Sequence, residues 1–183
     1  MQVIKTAIQD CFLLTPKVFN DDRGYFIESF NKKTFEQLTG LTVNFVQDNE
    51  SLSTYGTIRG LHFQRGEHAQ AKLVRVVKGA IRDVVVDLRP QSPTFKKVLT
   101  VDLDDITKQQ LFVPRGCAHG FVVLSKTALF AYKCDNFYNK ESEGGIFFND
   151  PALNIDWGIE NLSLAILSEK DLKLPHLQDL TSF

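Results

Sequence analysis

The sequence predicts an all-β domain, two sheets closed into a sandwich or barrel, with a few short helices at the periphery. Three observations carry this. Short apolar runs recur at spacings of roughly 8–12 residues, the rhythm of sandwich and barrel strands. Glycine, proline and aspartate fall between them. Phe alone accounts for 15 of 183 residues and hydrophobic residues for 43%, which suits an aromatic-rich packed core. Finally, no internal repeat, low-complexity stretch or composition shift divides the chain, so residues 1–183 are expected to form one domain.

Taken in order, runs 11–14 and 17–19 read as short strands on either side of Pro16. Asp21-Asp22-Arg23-Gly24 is a turn by composition, and 25–30 alternates as the next strand. Asn31 can cap a short helix carrying Phe35 and Leu38 at helical spacing, and Gly40 stops it. Run 43–47 returns as a strand. The stretch Thr57-Ile58-Arg59-Gly60-Leu61-His62-Phe63-Gln64 follows as another. Then come 72–77, 81–88 and 98–103, separated by Gly79 and by Arg89-Pro90-Gln91-Ser92-Pro93. Runs 111–113, 120–124, 128–134 and 145–148 continue the pattern, and Ser168-Glu169-Lys170-Asp171 opens a short helical turn.

The strand around His62 organises the rest. Simple alternation puts His62 and Gln64 on one face with Ile58, and Leu61 and Phe63 on the other. Arg59 then points away from His62, unless Gly60 marks a bulge that resets the alternation. An arginine and a histidine brought to one cavity make an anion-plus-base arrangement. A lone strand histidine is more often a hydrogen-bonded structural residue than a catalyst.

A net charge of −1 predicts no attraction to nucleic acid or to an anionic membrane. Locally, Arg59, Arg65, Lys72, Arg75 and Lys78 face only Glu67 between Gly56 and Gly79, which suits a small phosphorylated ligand or a solvated face. Cys11, Cys117 and Cys134 form no C-x-x-C pair and are expected to be reduced, as in a cytosolic protein. Met1–Thr6 lacks the apolar region of a signal peptide, and no run approaches the ~18 apolar residues of a membrane span. A cytoplasmic location is expected.

A second informative string is Pro114-Arg115-Gly116-Cys117-Ala118-His119-Gly120-Phe121, a tight turn into a strand with His119 just past it. It resembles the second motif of the cupin superfamily, small β-barrels with their sites inside the barrel. In typical members a His-x-His pair and a glutamate join this histidine in holding a metal. Here His62-x-Gln64 stands in the first position, and His68 and His176 fit neither strand, so no metal and no cofactor are expected. Without a metal, acid–base groups must come from elsewhere, and Lys72, Tyr132 and Asp171 are candidates. Each also has an ordinary role: a solvated strand lysine, a half-buried strand aromatic, and a capping-box-like partner of Ser168.

In sequence order the chain shows Pro16-Lys17-Val18-Phe19, Asp22-Arg23-Gly24-x-Phe26-x-Glu28 and Phe45-Val46-Gln47-Asp48-Asn49. Arg59–Gln64, Lys72-Leu73-Val74, Gly79-x-x-x-Asp83 and Asp87-x-Arg89-x-x-Ser92-Pro93-Thr94-Phe95 follow. Pro114-x-Gly116-x-Ala118-His119-Gly120-Phe121, Tyr132-Lys133, Tyr138, Glu143-Gly144, Asp150-Pro151, Ile155-x-Trp157 and Ser168-x-Lys170-Asp171 complete the set. Nearly end to end, this resembles the dTDP-4-dehydrorhamnose 3,5-epimerase family.

The resemblance implies a cupin-like jelly-roll β-barrel and an isomerase of the dTDP-L-rhamnose pathway. Such an enzyme inverts C3 and C5 of dTDP-4-dehydro-6-deoxy-D-glucose. It also implies roles: His62 as base, Asp171 holding its imidazole, Tyr132 as the acid on the opposite ring face, and Lys72 stabilising the enolate. Arg59 and His119 would meet the diphosphate or the sugar, with Gln47, Asp48 and Asn49 lining the same site. Tyr138 would stack on thymine, and Glu143 and Lys170 match further ligand positions. Arg23 and Glu28 would reach across from a neighbouring subunit in a homodimer built through the N-terminal strands.

Segment 157–168 is longer than the family pattern, which leaves Glu169 as an alternative to Asp171. A single-carbon epimerase, another nucleotide sugar, and a non-catalytic sugar-nucleotide-binding member remain as alternatives. The combination of a base, an opposed acid and an ammonium favours catalysis, because binding alone requires none of the three together.

Overall fold

The computed structural model describes residues 1–180. Thirteen strands dominate the regular structure of the described residues, with one α-helix and short 3-10 turns. They are β1 (Gln2–Lys5), β2 (Phe12–Thr15), β3 (Val18–Asp21), β4 (Gly24–Ile27), β5 (Gln47–Thr54), β6 (Ile58–Gln64) and β7 (Lys72–Lys78). The remainder are β8 (Ala80–Asp87), β9 (Val98–Asp104), β10 (Gln110–Val113), β11 (Cys117–Val123), β12 (Thr127–Cys134) and β13 (Glu143–Gly145). One sheet has the order β1-β2-β10-β7-β12-β5 and the other β13-β6-β11-β8-β9, both antiparallel, while β3 and β4 form a separate hairpin.

The two sheets pack face to face as a jelly roll. Val74, Val76, Leu111 and Phe130 of the first interdigitate with Ile81, Val85, Leu103, Phe121 and Val123 of the second, all buried. The outer face of the first sheet is covered by α1 (Lys32–Thr39), whose Phe35 packs with Phe12, Leu14, Leu73 and Phe112. Asn31 caps this helix by accepting from the Thr34 N–H, and Gly40 ends it at φ 75°, a left-handed conformation that glycine adopts without strain. The outer face of the second sheet is covered by residues 146–177, through Ile146, Phe148, Leu153, Trp157 and Leu177. This C-terminal segment also runs along β6, where Ile166 pairs with Thr57 and exchanges backbone hydrogen bonds with Gly56 and Ile58.

Several expected boundaries move. The strand expected at 43–47 is instead β5, starting at Gln47 and running through the polar sequence to Thr54. The strand expected at 25–30 ends at Ile27, and that expected at 145–148 is β13, ending at Gly145. Around His62, the alternation is reset. His119 pairs with His62 and Phe121 with Arg59, so two residues of β6 oppose the single Gly120. This is a bulge at Gly60-Leu61. It returns Arg59 to the face of His62 and puts Ile58 with Leu61 and Phe63 in the outer cluster, correcting the expectation that Ile58 shares the His62 face. A Cβ on Gly120 would lie 2.7 Å from the Arg59 carbonyl, and one on Gly60 2.7 Å from the His119 carbonyl, so two glycines let these strands approach.

Candidate active site

Residues of five strands and the C-terminal segment converge on a cavity of ≈ 780 Å³, lined by Arg59, His62, Lys72, His119, Tyr132 and Asp171 among others. Antiparallel register explains the convergence. His62 lies opposite His119, Tyr132 opposite both Asn49 and Val74, and Cys134 opposite Lys72. A smaller adjoining cavity of ≈ 310 Å³ extends the site past Gln47, Gln64, Tyr138 and Glu143.

His62 is oriented by Asp171, Nε2 to Oδ1 at 2.5 Å. Burial pushes the Asp171 carboxyl up, but hydrogen bonds from His62, the Ser168 hydroxyl and the Gly60 N–H outweigh it and hold the group below its ordinary range. An ionised carboxylate can only accept, so His62 donates through Nε2–H and its Nδ1 is the basic nitrogen. The Ser168 hydroxyl accepts from the Asp171 backbone N–H at 3.1 Å, so the turn capping and the dyad coexist. Asp171, not the exposed Glu169, meets His62.

Lys72 is half-buried, its Nζ 5.9 Å from the Tyr132 ring centroid. Burial pushes its pKa down, opposed by Cys134, Asp83 and Glu143. Among the described residues no carboxylate pairs with it, so its ammonium is free for an anion forming in the cavity. Burial pushes the Tyr132 phenol up, which keeps it a proton donor through neutral pH.

Arg59 anchors its Nε on Ser53 Oγ at 2.9 Å, leaving the terminal guanidinium nitrogens for a ligand at the cavity mouth. Gln47 donates to Asn49 at 2.9 Å, and its Oε1 accepts from the Tyr138 N–H at 3.3 Å. The Tyr138 hydroxyl donates to Glu143 at 2.8 Å, and Lys170 pairs with the same carboxylate oxygen at 2.5 Å, tying three candidate ligand positions together.

Other expected positions lie elsewhere. Asp48 does not line the cavity. On β5, Gln47 and Asn49 face inward, so Asp48 between them faces outward and pairs with Lys133 at 2.8 Å. Arg23 and Glu28 are exposed on and beside the β3–β4 hairpin, outside the cavity of their own chain, with Arg23 paired to Asp21. Gln64 is buried, and its side-chain carbonyl accepts from the Asn139 N–H at 3.0 Å. Among the described residues no group of three or more His, Cys, Asp or Glu is arranged to hold a metal.

Sequence reasoning gave no role to Asp83, Ser51 or Ser53, and to Ser168 only a capping one. Asp83 had a usable signal: it falls between Ile81 and Val85 on a buried face, where a carboxylate needs a partner. That partner is His119, whose Nε2 lies 3.0 and 2.9 Å from its two oxygens.

Comparison with known proteins agrees with this geometry. The family model described as dTDP-4-dehydrorhamnose 3,5-epimerase matches residues 5–179. The dTDP-4-dehydrorhamnose 3,5-epimerase of Salmonella typhimurium is 53% identical over 177 residues, covering 97% of this chain and 96% of its own. The crystal structure of the Elizabethkingia anophelis enzyme of that name superposes with a TM-score of 0.93 at 57% identity, over 98% of this chain and 97% of its own. A Legionella pneumophila epimerase crystallised with dTDP-4-keto-L-rhamnose gives a TM-score of 0.93 at 45% identity, over 98% and 94% of the two chains. A jelly roll, an oriented histidine and a match along nearly its whole length lead to one conclusion: this chain is a member of the dTDP-4-dehydrorhamnose 3,5-epimerase family.

Proposed function

We propose that the protein inverts C3 and C5 of dTDP-4-dehydro-6-deoxy-D-glucose, giving dTDP-4-dehydro-L-rhamnose. The observation that carries this is the His62–Asp171 pair opening on a cavity that also holds an unpaired ammonium and a protonated phenol. His62 Nδ1 takes the proton from the carbon beside the 4-keto group. Charge moves to the ketone oxygen, where Lys72 offsets it in a water-poor site. Tyr132 returns a proton on the opposite ring face, exchange with solvent deprotonates His62 and reprotonates Tyr132, and repetition at the second carbon completes the inversion. Arg59 serves the diphosphate, Gln47 and Asn49 line its path, and Tyr138 stacks on the base, with Glu143 and Lys170 beside it.

The active form is a homodimer in which Arg23 and Glu28 of each chain complete the neighbouring site. Phe19, Tyr25 and Phe26 on the β3–β4 hairpin are 49, 55 and 67% exposed, which favours a protein surface covering them.

Incubation with the dTDP-4-dehydro sugar in D₂O tests the reaction. Deuterium entering both C3 and C5 is the expected result. Entry at one carbon alone identifies a single-carbon epimerase, and entry at neither identifies a binding protein.

A further inference from the structure

A second imidazole–carboxylate pair lies inside the barrel, directly across the β6–β11 register from the dyad. His119 is 6% exposed and Asp83 0% exposed. The His119 ring stacks on Phe130 with centroids 6.2 Å apart, so it sits in the apolar depth of the cavity rather than at its mouth. Nε2 is engaged by both carboxylate oxygens, and among the described residues Nδ1 has no partner. We propose that Asp83 is a positioning residue that fixes His119 with Nε2–H on the carboxylate, so that Nδ1 meets the substrate as a hydrogen-bond acceptor for a sugar-ring hydroxyl. This rests on the epimerase reading and deepens it, assigning His119 to the sugar where the resemblance left diphosphate and sugar both open.

Three points support it. Two nearly equal distances from one nitrogen to both oxygens fit a single N–H shared by an ionised carboxylate, whereas a protonated carboxyl would favour one oxygen. Asp83 is fully buried, and burial pushes its carboxyl up, while the hydrogen bond from His119 and the nearby Lys72 oppose that rise, so the carboxylate depends on His119 as its donor. A neutral imidazole presenting a lone pair repels phosphate oxygens and attracts a hydroxyl hydrogen. A buried acceptor of this kind discriminates strongly, because a substrate lacking the hydroxyl leaves it unpaired.

The test combines ring ¹⁵N NMR on labelled wild-type and Asp83→Asn protein with kinetics on the 4-dehydro sugar nucleotide and its 2-deoxy and 3-deoxy analogues. C5 deuterium exchange is the common readout. In the wild type, His119 should be the neutral Nε2–H tautomer, and one deoxy analogue should lose about 10²-fold or more in kcat/KM. In Asp83→Asn the tautomer preference should weaken and that discrimination shrink to within about tenfold, with the change falling on KM more than on kcat.

An Nδ1–H tautomer or an imidazolium in the wild type overturns the proposal, as does full discrimination retained by Asp83→Asn. If the variant does not fold, the wild type still decides, since equal turnover of both analogues and the parent also overturns it. No exchange from the parent sugar overturns the epimerase reading and this inference with it. The other adverse outcomes, with the parent exchanging normally, overturn this inference alone.

Discussion

The imidazole of His62 and the carboxylate of Asp171 meet at 2.5 Å although 109 positions separate them. His62→Ala should therefore remove exchange at C3 and C5 together, by roughly the 10²–10⁴-fold typical of a general base. Exchange within about threefold of wild type would remove its role. Asp171→Asn should weaken the reaction in the same direction but less. The Asp171 carboxyl is held below its ordinary value of 3.8, so the stability it contributes is present above that pH and is lost as pH falls through the lower folded value. Acid denaturation of Asp171→Asn should accordingly show a flatter slope in that range, measurable by circular dichroism.

Lys72 should show activity and stability in opposition. Its pKa is pushed down, so the fold pays for the ammonium below the folded value, and that penalty fades as pH rises towards 10.5. Lys72→Met should abolish exchange while raising Tm, because the variant no longer desolvates a charge. A variant that is both inactive and less stable would mean that Lys72 holds the fold together instead.

Tyr132→Phe separates acid from base. Deprotonation by His62 does not need the phenol, so deuterium should still wash into the sugar while net inversion falls, most at the carbon epimerised second. If Tyr132 is only a packed aromatic, the ratio of exchange to inversion stays near normal and any loss follows stability. NMR of the deuterated sugar, read for both quantities in one sample, distinguishes the two.

Complementation between subunits tests the hairpin. Mixed dimers of Arg23→Ala and His62→Ala chains contain one site that keeps both groups, so activity should return on mixing two inactive proteins. Subunit exchange shown by mass spectrometry without recovered activity would mean that each chain builds its own site.

Legibility in the sequence followed the physical origin of each signal. Apolar alternation marked β8, β11 and β12, because their inward residues pack against the opposite sheet. The capped helix was readable because Asn31 and Gly40 act locally. β5 was placed too early because its inward residues Gln47, Asn49, Ser51 and Ser53 face a polar cavity, so no hydrophobic period announces the strand. Strand parity would have excluded Asp48 once β5 was recognised. Gly60 hinted at the bulge, but the bulge became certain only from the pairing of β6 with β11. The His119–Asp83 pair was hidden for the same reason, since a diagonal contact between strands has no fixed spacing in sequence.

The C-terminal segment that carries Asp171 has a temporal consequence. Synthesis delivers all thirteen described strands, the last ending at Gly145, before the residues that dock along β6. A nascent chain at that stage already holds His62, Lys72 and Tyr132, but nothing selects the tautomer of the base. Under the proposed mechanism, competence to abstract a proton thus switches on only once Asp171 has been made and docked, so a chain halted before it is silent towards the sugar even where its strands have paired.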